Sequence, residues 1–292
     1  MLLAITYFSA VLAAFFNATA AIIQRLATKK PAARKLFSHK FAYEMMKSRK
    51  FLLGLFLQFL AAVAQAVALK NGGLSMVEPL LTSDLIFLLL IIHFRLKVRM
   101  KPRDWSAALA VSLGLTGLYL ATNPREGHLN FQALPWIVLA SVAAPIVIVL
   151  AVVIRKLKSA RVRAVLAGIA AATSFAMNAA LAKLSLNEFS QHGLRAVLSG
   201  WPLYAFIVSG IISLYLMVNA YGSGPLALTQ PIMEVCEPAM AVTIGIMIFG
   251  DRFNSSLGSI SFGVICALIT IGGIILLGSS PRLQTAADRH GV

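Results

Sequence analysis

The chain contains nine continuous runs of about 20 mostly apolar residues, and this feature limits the folds open to it. A transmembrane α-helix needs about 20 apolar residues, whereas a transmembrane β-strand needs about 10 with alternating polarity. The runs do not alternate, so they predict helices and exclude a β-barrel. The predicted spans cover 2–24, 51–69, 74–94, 105–121, 134–154, 164–184, 202–221, 226–249 and 257–277.

The composition supports a membrane bundle. The chain has 292 residues, of which 59% are hydrophobic and 12% are charged. Soluble domains carry about 25% charged residues, so this chain lacks the polar surface to cover a globule. Cys236 and Cys266 both lie in apolar runs, without the spacing of a metal site. The apolar N-terminus has no basic segment before it, which predicts a retained first helix and not a signal peptide.

The positive charges predict the orientation. Basic residues of polytopic proteins concentrate in cytoplasmic loops. With the N-terminus outside, 21 of the 26 Lys and Arg residues fall in inside segments, nine of them in the loop 25–50. The net charge of +16 is therefore attributed to topology and not to nucleic-acid binding. The loop 25–50 could also contact anionic lipid head groups, although fixing the topology is the favoured interpretation.

Two segments of the chain resemble each other at a spacing of 152 residues. They are ALKNGGLSMVEPLL (68–81) and AYGSGPLALTQPIM (220–233), which align Pro79 with Pro231. Helices 1–4 pair with helices 6–9, and the single helix between them reverses the second half. Such inverted repeats are typical of transporters, with the substrate site at their interface. The predicted units are a first repeat 1–122, a linking helix within 123–160, a second repeat 161–279 and a cytoplasmic tail 280–292.

Four carboxyl residues lie inside predicted spans: Glu78, Asp84, Glu234 and Glu237. Each charge at the bilayer centre costs about 3 kcal/mol on insertion scales. The groups must therefore be protonated, lie in a wet cavity or bind something positive. Glu234 and Glu237 are three positions apart and share a helical face, whereas Glu78 and Asp84 do not unless Pro79 distorts the helix.

We expect the three glutamates of this set to face a central cavity, and Asp84 is equally compatible with a structural role. If a metal cation is bound, Glu234 and Glu237 are its expected ligands. The candidate polar neighbours are amides in predicted spans, for which interhelical hydrogen bonding is the favoured alternative. They are Asn17, Gln65, Asn178, Asn219 and Gln230. Three prolines, Pro79, Pro231 and Pro238, are expected to break helices and free carbonyls towards the site.

The sequence does not support an enzyme. The five histidines are scattered, and the chain has no HExxH, P-loop or GxSxG motif. ATP-driven transport by this chain alone is therefore not expected, and no cofactor is expected.

Four segments resemble the EamA-like drug/metabolite transporter superfamily. They are AIIQRLA (21–27), AQAVALKNGGLSMVEPLL (64–81), YGSGPLALTQPIMEVCEP (221–238) and IFGDRF (248–253). That family usually has five plus five helices, whereas here the loop 25–50 replaces the second helix of the first half. This plan is similar to NIPA-type magnesium transporters, which implies a divalent cation as a candidate substrate.

Together these observations predict an all-α transporter with an inverted 4 + 1 + 4 repeat. We expect it to move a small solute by alternating access, coupled to protons or ions through its carboxyl groups. The alternatives are a magnesium transporter, a flippase for lipids or lipid-linked sugars, and a non-transporting scaffold. The expected partners are the substrate, membrane lipids and a second copy in a homodimer, without nucleic acid. The expected location is the bacterial plasma membrane, with the C-terminus in the cytoplasm.

Overall fold

A computed structural model describes residues 2–28, 36–37, 39–71, 77, 80–95, 97–98, 100–122, 132–250 and 256–281. These parts of the chain are helical and contain no strand. The helices are α1 (Leu2–Thr28), α2 (His39–Met46), α3 (Arg49–Asn71), α4 (Asp84–Arg95), α5 (Pro102–Thr122), α6 (Ala133–Lys156), α7 (Ala160–Ser199), α8 (Trp201–Ser223), α9 (Leu226–Ile244) and α10 (Leu257–Gly278). A π-helical turn, Gly245–Phe249, continues α9.

Eight described helices are long and apolar enough to cross a membrane, namely α1, α3 and α5 to α10, with α9 counted together with its π-helical turn. They fit a multi-pass membrane protein, and their bounds agree with eight of the predicted spans to within a few residues, except that α7 extends beyond its predicted end. The basic loop also contains a short helix, α2, which the hydropathy did not predict.

The predicted span 74–94 differs from the structure because its described part is interrupted. Leu80 and Leu81 are helical, Thr82 and Ser83 form a turn, and α4 begins at Asp84. The Ser83 carbonyl accepts hydrogen bonds from the N–H groups of Ile86 (2.9 Å) and Phe87 (3.1 Å), as a residue preceding a helix does. With 12 residues, α4 is about 18 Å long, well short of the roughly 30 Å hydrocarbon core.

The helices pack in a pattern that repeats along the chain. In the first part, α1 packs on α3 and α4, and α4 packs on α5. In the second part, α7 packs on α8 and α9, and α9 packs on α10. The two sets meet where α5 lies against α10 and where α1 and α4 contact α9. The segment between the two sets, α6, packs mainly on α7 and leaves most of its apolar surface exposed.

Small residues allow α5 and α10 to approach closely. An added Cβ at Gly273 would lie 2.7 Å from Val111 Cγ2 and 2.8 Å from the Ala107 carbonyl oxygen. A Cβ at Gly114 would lie 2.2 Å from Thr270 Oγ1. Van der Waals packing drives helix association in lipid, so these glycines hold the two sets of helices together.

The prolines of α9 do not end the helix, contrary to the helix-breaking role predicted for them. The helix runs from Leu226 to Ile244 through both Pro231 and Pro238. Each proline still lacks an N–H group, so the carbonyls of Ala227 and Glu234 lose their usual donor four residues later. The freed carbonyls are therefore present, although the helix is continuous. Pro79 lies outside the described residues.

Candidate functional site

The site is built where helices of the two sets meet, around two carboxyl groups. Asp84 is the first residue of α4, and its Oδ2 atom accepts a 2.9 Å hydrogen bond from Nδ2 of Asn17 on α1. The Asp84 carboxyl also lies within hydrogen-bonding reach of the carboxyl of Glu234 on α9. Asn17 and Glu234 both lie near the middle of their spans, which places the pair deep in the bundle.

The network continues into α8 through an amide and a phenol. Gln230, one turn before Glu234, donates a 2.6 Å hydrogen bond from Nε2 to Glu234 Oε1. The buried Tyr221 hydroxyl donates a 3.1 Å hydrogen bond to Gln230 Oε1. These bonds fix the orientation of the amide, because its oxygen faces a donor and its nitrogen faces an acceptor. Four helices, α1, α4, α8 and α9, therefore contribute to one polar chain.

The charge balance of this network is unusual for a membrane interior. Asp84 is only 2% exposed, and its Oδ1 atom receives no hydrogen bond. Within the described residues, neither Lys nor Arg pairs with Asp84 or Glu234. Glu237 lies one turn after Glu234, is partly buried, and adds a third acidic group near the pair. Two neighbouring carboxyl groups can share a hydrogen bond only when one of them carries a proton.

Two arginines bind the carboxyl end of α8, beside the network. The side chain of Arg25 is 2% exposed, and its Nη1 atom donates a hydrogen bond to the Tyr221 carbonyl. On α7, Arg163 donates to the Ser223 carbonyl over 3.4 Å. A cation at a helix carboxyl end interacts favourably with the helix dipole and with carbonyls that lack helical donors. These contacts connect α1 and α7 to the carboxyl end of α8, next to the junction with α9.

The other predicted amides lie away from the carboxyl pair. Asn178 joins α7 to α8 by 2.8 Å hydrogen bonds to the Phe206 carbonyl and to Ser209 Oγ. Asn219 is buried, donates 2.7 Å to the Tyr215 carbonyl and accepts a hydrogen bond from the Phe37 N–H group. Gln65 is partly buried on α3, and it takes no part in the hydrogen bonds given for the network around Asp84 and Glu234. Glu78 lies outside the described residues.

Sequence reasoning missed two parts of the site. The first is Tyr221, whose signal is its position beside the Gly-rich turn, nine residues before Gln230. The second is the helix start at Asp84, which the dipeptide Thr82–Ser83 signals because serine is a preferred residue before a helix. That start also places Asp84 in the first helical turn, where the helix dipole favours a negative charge.

The described residues do not form a metal centre. No group of three or more His, Cys, Asp or Glu side chains among them converges closely enough to hold a metal ion. The predicted ligands Glu234 and Glu237 would therefore need additional oxygen ligands to bind such an ion. The arrangement is suited to holding a proton, or a positive group of a substrate, between helices of the two sets.

Comparisons with known proteins give one relative. The chain is similar to an uncharacterized protein of Corynebacterium glutamicum, with 24% identity over 207 residues that cover 69% of each chain. No protein-family model matches the chain. No solved structure matches it either.

Proposed function

We propose that the chain is a secondary transporter that moves a small solute by alternating access, coupled to ion movement through its membrane-embedded carboxyl groups. The observation that carries this proposal is the pairing of Asp84 with Glu234 across the two sets of helices. An acidic pair within a bilayer, with Asp84 buried and Glu234 partly buried, is costly, and such groups mark substrate or proton pathways. A purely structural role would be served at lower cost by amides.

The packing supports an inverted repeat, in which the two sets of helices are the two halves of the chain. In each half the first span packs on the second and on the third helical segment, and the third packs on the fourth. The intervening α6 would reverse the second half relative to the first. In transporters of this type the halves rock against each other around a site at their interface. The pair of Asp84 and Glu234 lies at that interface.

We also propose an orientation of the chain in the membrane and the membrane in which it is located. The distribution of Lys and Arg places the N-terminus outside and the basic loop 25–50 in the cytoplasm. The similarity to a bacterial protein supports a bacterial plasma membrane. In this orientation the contacts of Arg25 and Arg163 with the carboxyl end of α8 would lie on the cytoplasmic side.

The proposal is tested with the purified full chain in proteoliposomes that contain a pH-sensitive dye. Panels of amino acids, nucleosides, sugars and organic cations are added outside, and Mg²⁺ is added in a separate arm to proteoliposomes that contain a Mg²⁺-sensitive dye. We expect one class of organic solute to drive proton movement, and Glu234→Gln to abolish it. Proton-independent Mg²⁺ uptake would overturn the proposal in favour of the magnesium transporter.

The scaffold alternative is tested with the same preparation. In a background of Cys236→Ala and Cys266→Ala, we introduce Glu237→Cys and add a membrane-impermeant thiol reagent. A transport pathway predicts that the reagent labels this position from one side of the membrane. A position that stays unlabelled from both sides, together with no solute movement, would contradict transport and favour a scaffold.

A further inference from the structure

We propose that the coupling ion is a single proton held between Asp84 and Glu234, and that this proton joins α4 to α9 while the bundle is closed. The inference rests on the proposed transport function, and it adds the identity of the ion and the two residues that hold it. It also assigns different roles to the acidic residues, because Glu237 lies beside the pair and not within it.

The carboxyl oxygens of the pair are only partly occupied by hydrogen bonds. On each group one oxygen already accepts an amide hydrogen bond, from Asn17 at 2.9 Å on Asp84 Oδ2 and from Gln230 at 2.6 Å on Glu234 Oε1. Asp84 Oδ1 is buried and has no hydrogen-bond partner in the described structure, while the Leu85 N–H group and the Glu234 carboxyl both lie close to the Asp84 carboxyl. A buried acceptor without a donor destabilises the folded protein. A proton between the two groups supplies the missing donor and removes one of the two charges.

The groups that surround the pair are poorly suited to a metal cation. A cation such as Mg²⁺ requires about six oxygen ligands in near-octahedral geometry. Here the amides of Asn17 and Gln230 direct N–H groups at the carboxyl pair, and these groups repel a cation. No third His, Cys, Asp or Glu among the described residues completes a metal-binding group. The donors that surround the pair are therefore suited to a proton and not to a metal ion.

The charged groups on α9, α8 and α1 do not neutralise the pair. On α9, Glu237 adds negative charge, and on α8 the Tyr221 hydroxyl faces Gln230. On α1, Arg25 lies eight residues after Asn17, about 12 Å along the axis, and it donates to the Tyr221 carbonyl. Because no cation on these three helices reaches the two carboxyl groups, a bound proton is what lowers their negative charge.

Three further charged or titratable groups of the surrounding helices have partners away from the pair. On α4, the ring of His93 lies 3.0 Å from the Val98 carbonyl. On α5, Asp104 accepts a 2.9 Å hydrogen bond from the Lys101 N–H group. On α7, Arg163 donates to carbonyls of Leu157 and Lys158, in addition to that of Ser223.

Release of the proton supplies the conformational step. The proton passes from the pair to a water molecule, and both carboxyl groups are then anionic. Two like charges this close repel, which favours separation of α4 from α9. The turn at Thr82–Ser83 separates α4 from the helical residues before it, so α4 can move without bending a continuous helix. Rebinding of a proton from the opposite side restores the closed arrangement.

The proposal is tested by infrared difference spectroscopy of the full chain in proteoliposomes, titrated with acid and base in the absence of any solute. The probe is the proton itself, observed through the carbonyl stretching band of a protonated carboxyl group. We expect a single band of this kind, which shifts in D₂O and is lost in both Asp84→Asn and Glu234→Gln. Asp104→Asn is the matched control, a buried aspartate at a helix start, and it should retain the band.

Three results would overturn the proposal. One is that no such band is present in the wild-type protein. Another is that the band survives in either Asp84→Asn or Glu234→Gln while the circular dichroism spectrum shows that the variant is folded. The last is that Na⁺ or Mg²⁺ at constant pH removes the band, which would assign the pair to a metal cation.

This measurement separates the inference from the function on which it rests. Coupled solute movement without the carboxyl band would refute the shared proton and leave the transporter proposal intact. The band without any solute movement would support the shared proton and count against transport.

Discussion

Nδ2 of Asn17 lies 2.9 Å from Oδ2 of Asp84, and this bond ties the first span of the chain to the start of α4. The amide is the donor that holds the aspartate in place beside Glu234. The stability of the bundle and the behaviour of the carboxyl pair therefore both depend on Asn17.

Replacement of Asn17 by Ala should lower the stability of the protein and also change the pH dependence of transport. The loss of a hydrogen bond to a buried carboxyl costs about 1–3 kcal/mol, although interhelical bonds in membranes average about 0.6 kcal/mol. Asn178→Ala is the matched control, because Asn178 joins α7 to α8 away from the carboxyl pair. The midpoint of thermal unfolding in detergent should fall in both variants. The pH dependence of transport should change only in Asn17→Ala.

Replacement of Tyr221 by Phe should slow transport while leaving the fold intact. The variant removes the hydroxyl that orients Gln230, so the amide no longer presents its N–H group to Glu234 in a fixed way. A neutral hydrogen bond contributes about 1 kcal/mol, which corresponds to about a fivefold change in rate. The fall in transport rate is measured as the initial rate of solute-driven proton movement in proteoliposomes.

Tyr204→Phe provides the comparison for that variant, because the exposed Tyr204 hydroxyl bonds only to the Leu198 carbonyl in the described structure. Its transport rate should equal that of the wild type. Equal rates in Tyr221→Phe and Tyr204→Phe would show that the phenol has no part in the site.

Replacement of Gly273 by Ala should weaken the contact between α5 and α10. The new methyl group would meet the Ala107 carbonyl oxygen at 2.8 Å, and a backbone atom cannot move aside without shifting its helix. Overpacking of this kind costs about 1–3 kcal/mol. Gly272→Ala is the neighbouring control, since its methyl group meets nothing within 4 Å. The midpoint of thermal unfolding should fall in Gly273→Ala and stay equal or rise slightly in Gly272→Ala, because alanine has the higher helix propensity.

Replacement of Arg25 by Lys should loosen the α8–α9 junction. Lysine keeps the charge, but its single ammonium group does not reproduce the planar guanidinium that bonds both the Tyr221 carbonyl and Thr28 Oγ1. We expect a loss of about 1–3 kcal/mol, measured by thermal unfolding in detergent. The exposed Arg161 is the control, and Arg161→Lys should be neutral. Unchanged thermal unfolding of Arg25→Lys would mean that the positive charge alone is sufficient to hold the carboxyl end of α8.

The helical class and most span positions could be predicted from the sequence, because hydropathy reports directly on the cost of placing a segment in lipid. The interruption before Asp84 was not predicted, since the two polar residues Thr82 and Ser83 do not lower the mean hydropathy of the surrounding segment enough to interrupt a predicted span. Their hydrogen bonds, and not their polarity, end the helix. The continuity of α9 through Pro231 was missed for a related reason, because packing of a buried helix can outweigh one lost hydrogen bond.

The site was only partly predictable. The cost of burying a charge identified Asp84 and Glu234 as individual candidates, but 150 positions of sequence separate them. Their contact depends on how α4 and α9 are placed by the packing of the other helices, which local patterns do not contain. The amides illustrate the same limit, because Asn17 and Asn178 have similar sequence surroundings and yet only Asn17 reaches a carboxyl group.

The exposure of α6 has a consequence for how the protein is made. Of the eight candidate spans, α6 is the most apolar and the least covered by other helices. It can therefore enter the bilayer during synthesis without waiting for a partner helix. Since α7 to α10 emerge from the ribosome only afterwards, we expect the insertion of α6 to influence the direction in which they insert. A charged residue placed in α6 would consequently endanger the orientation of half the chain, although it touches no part of the site.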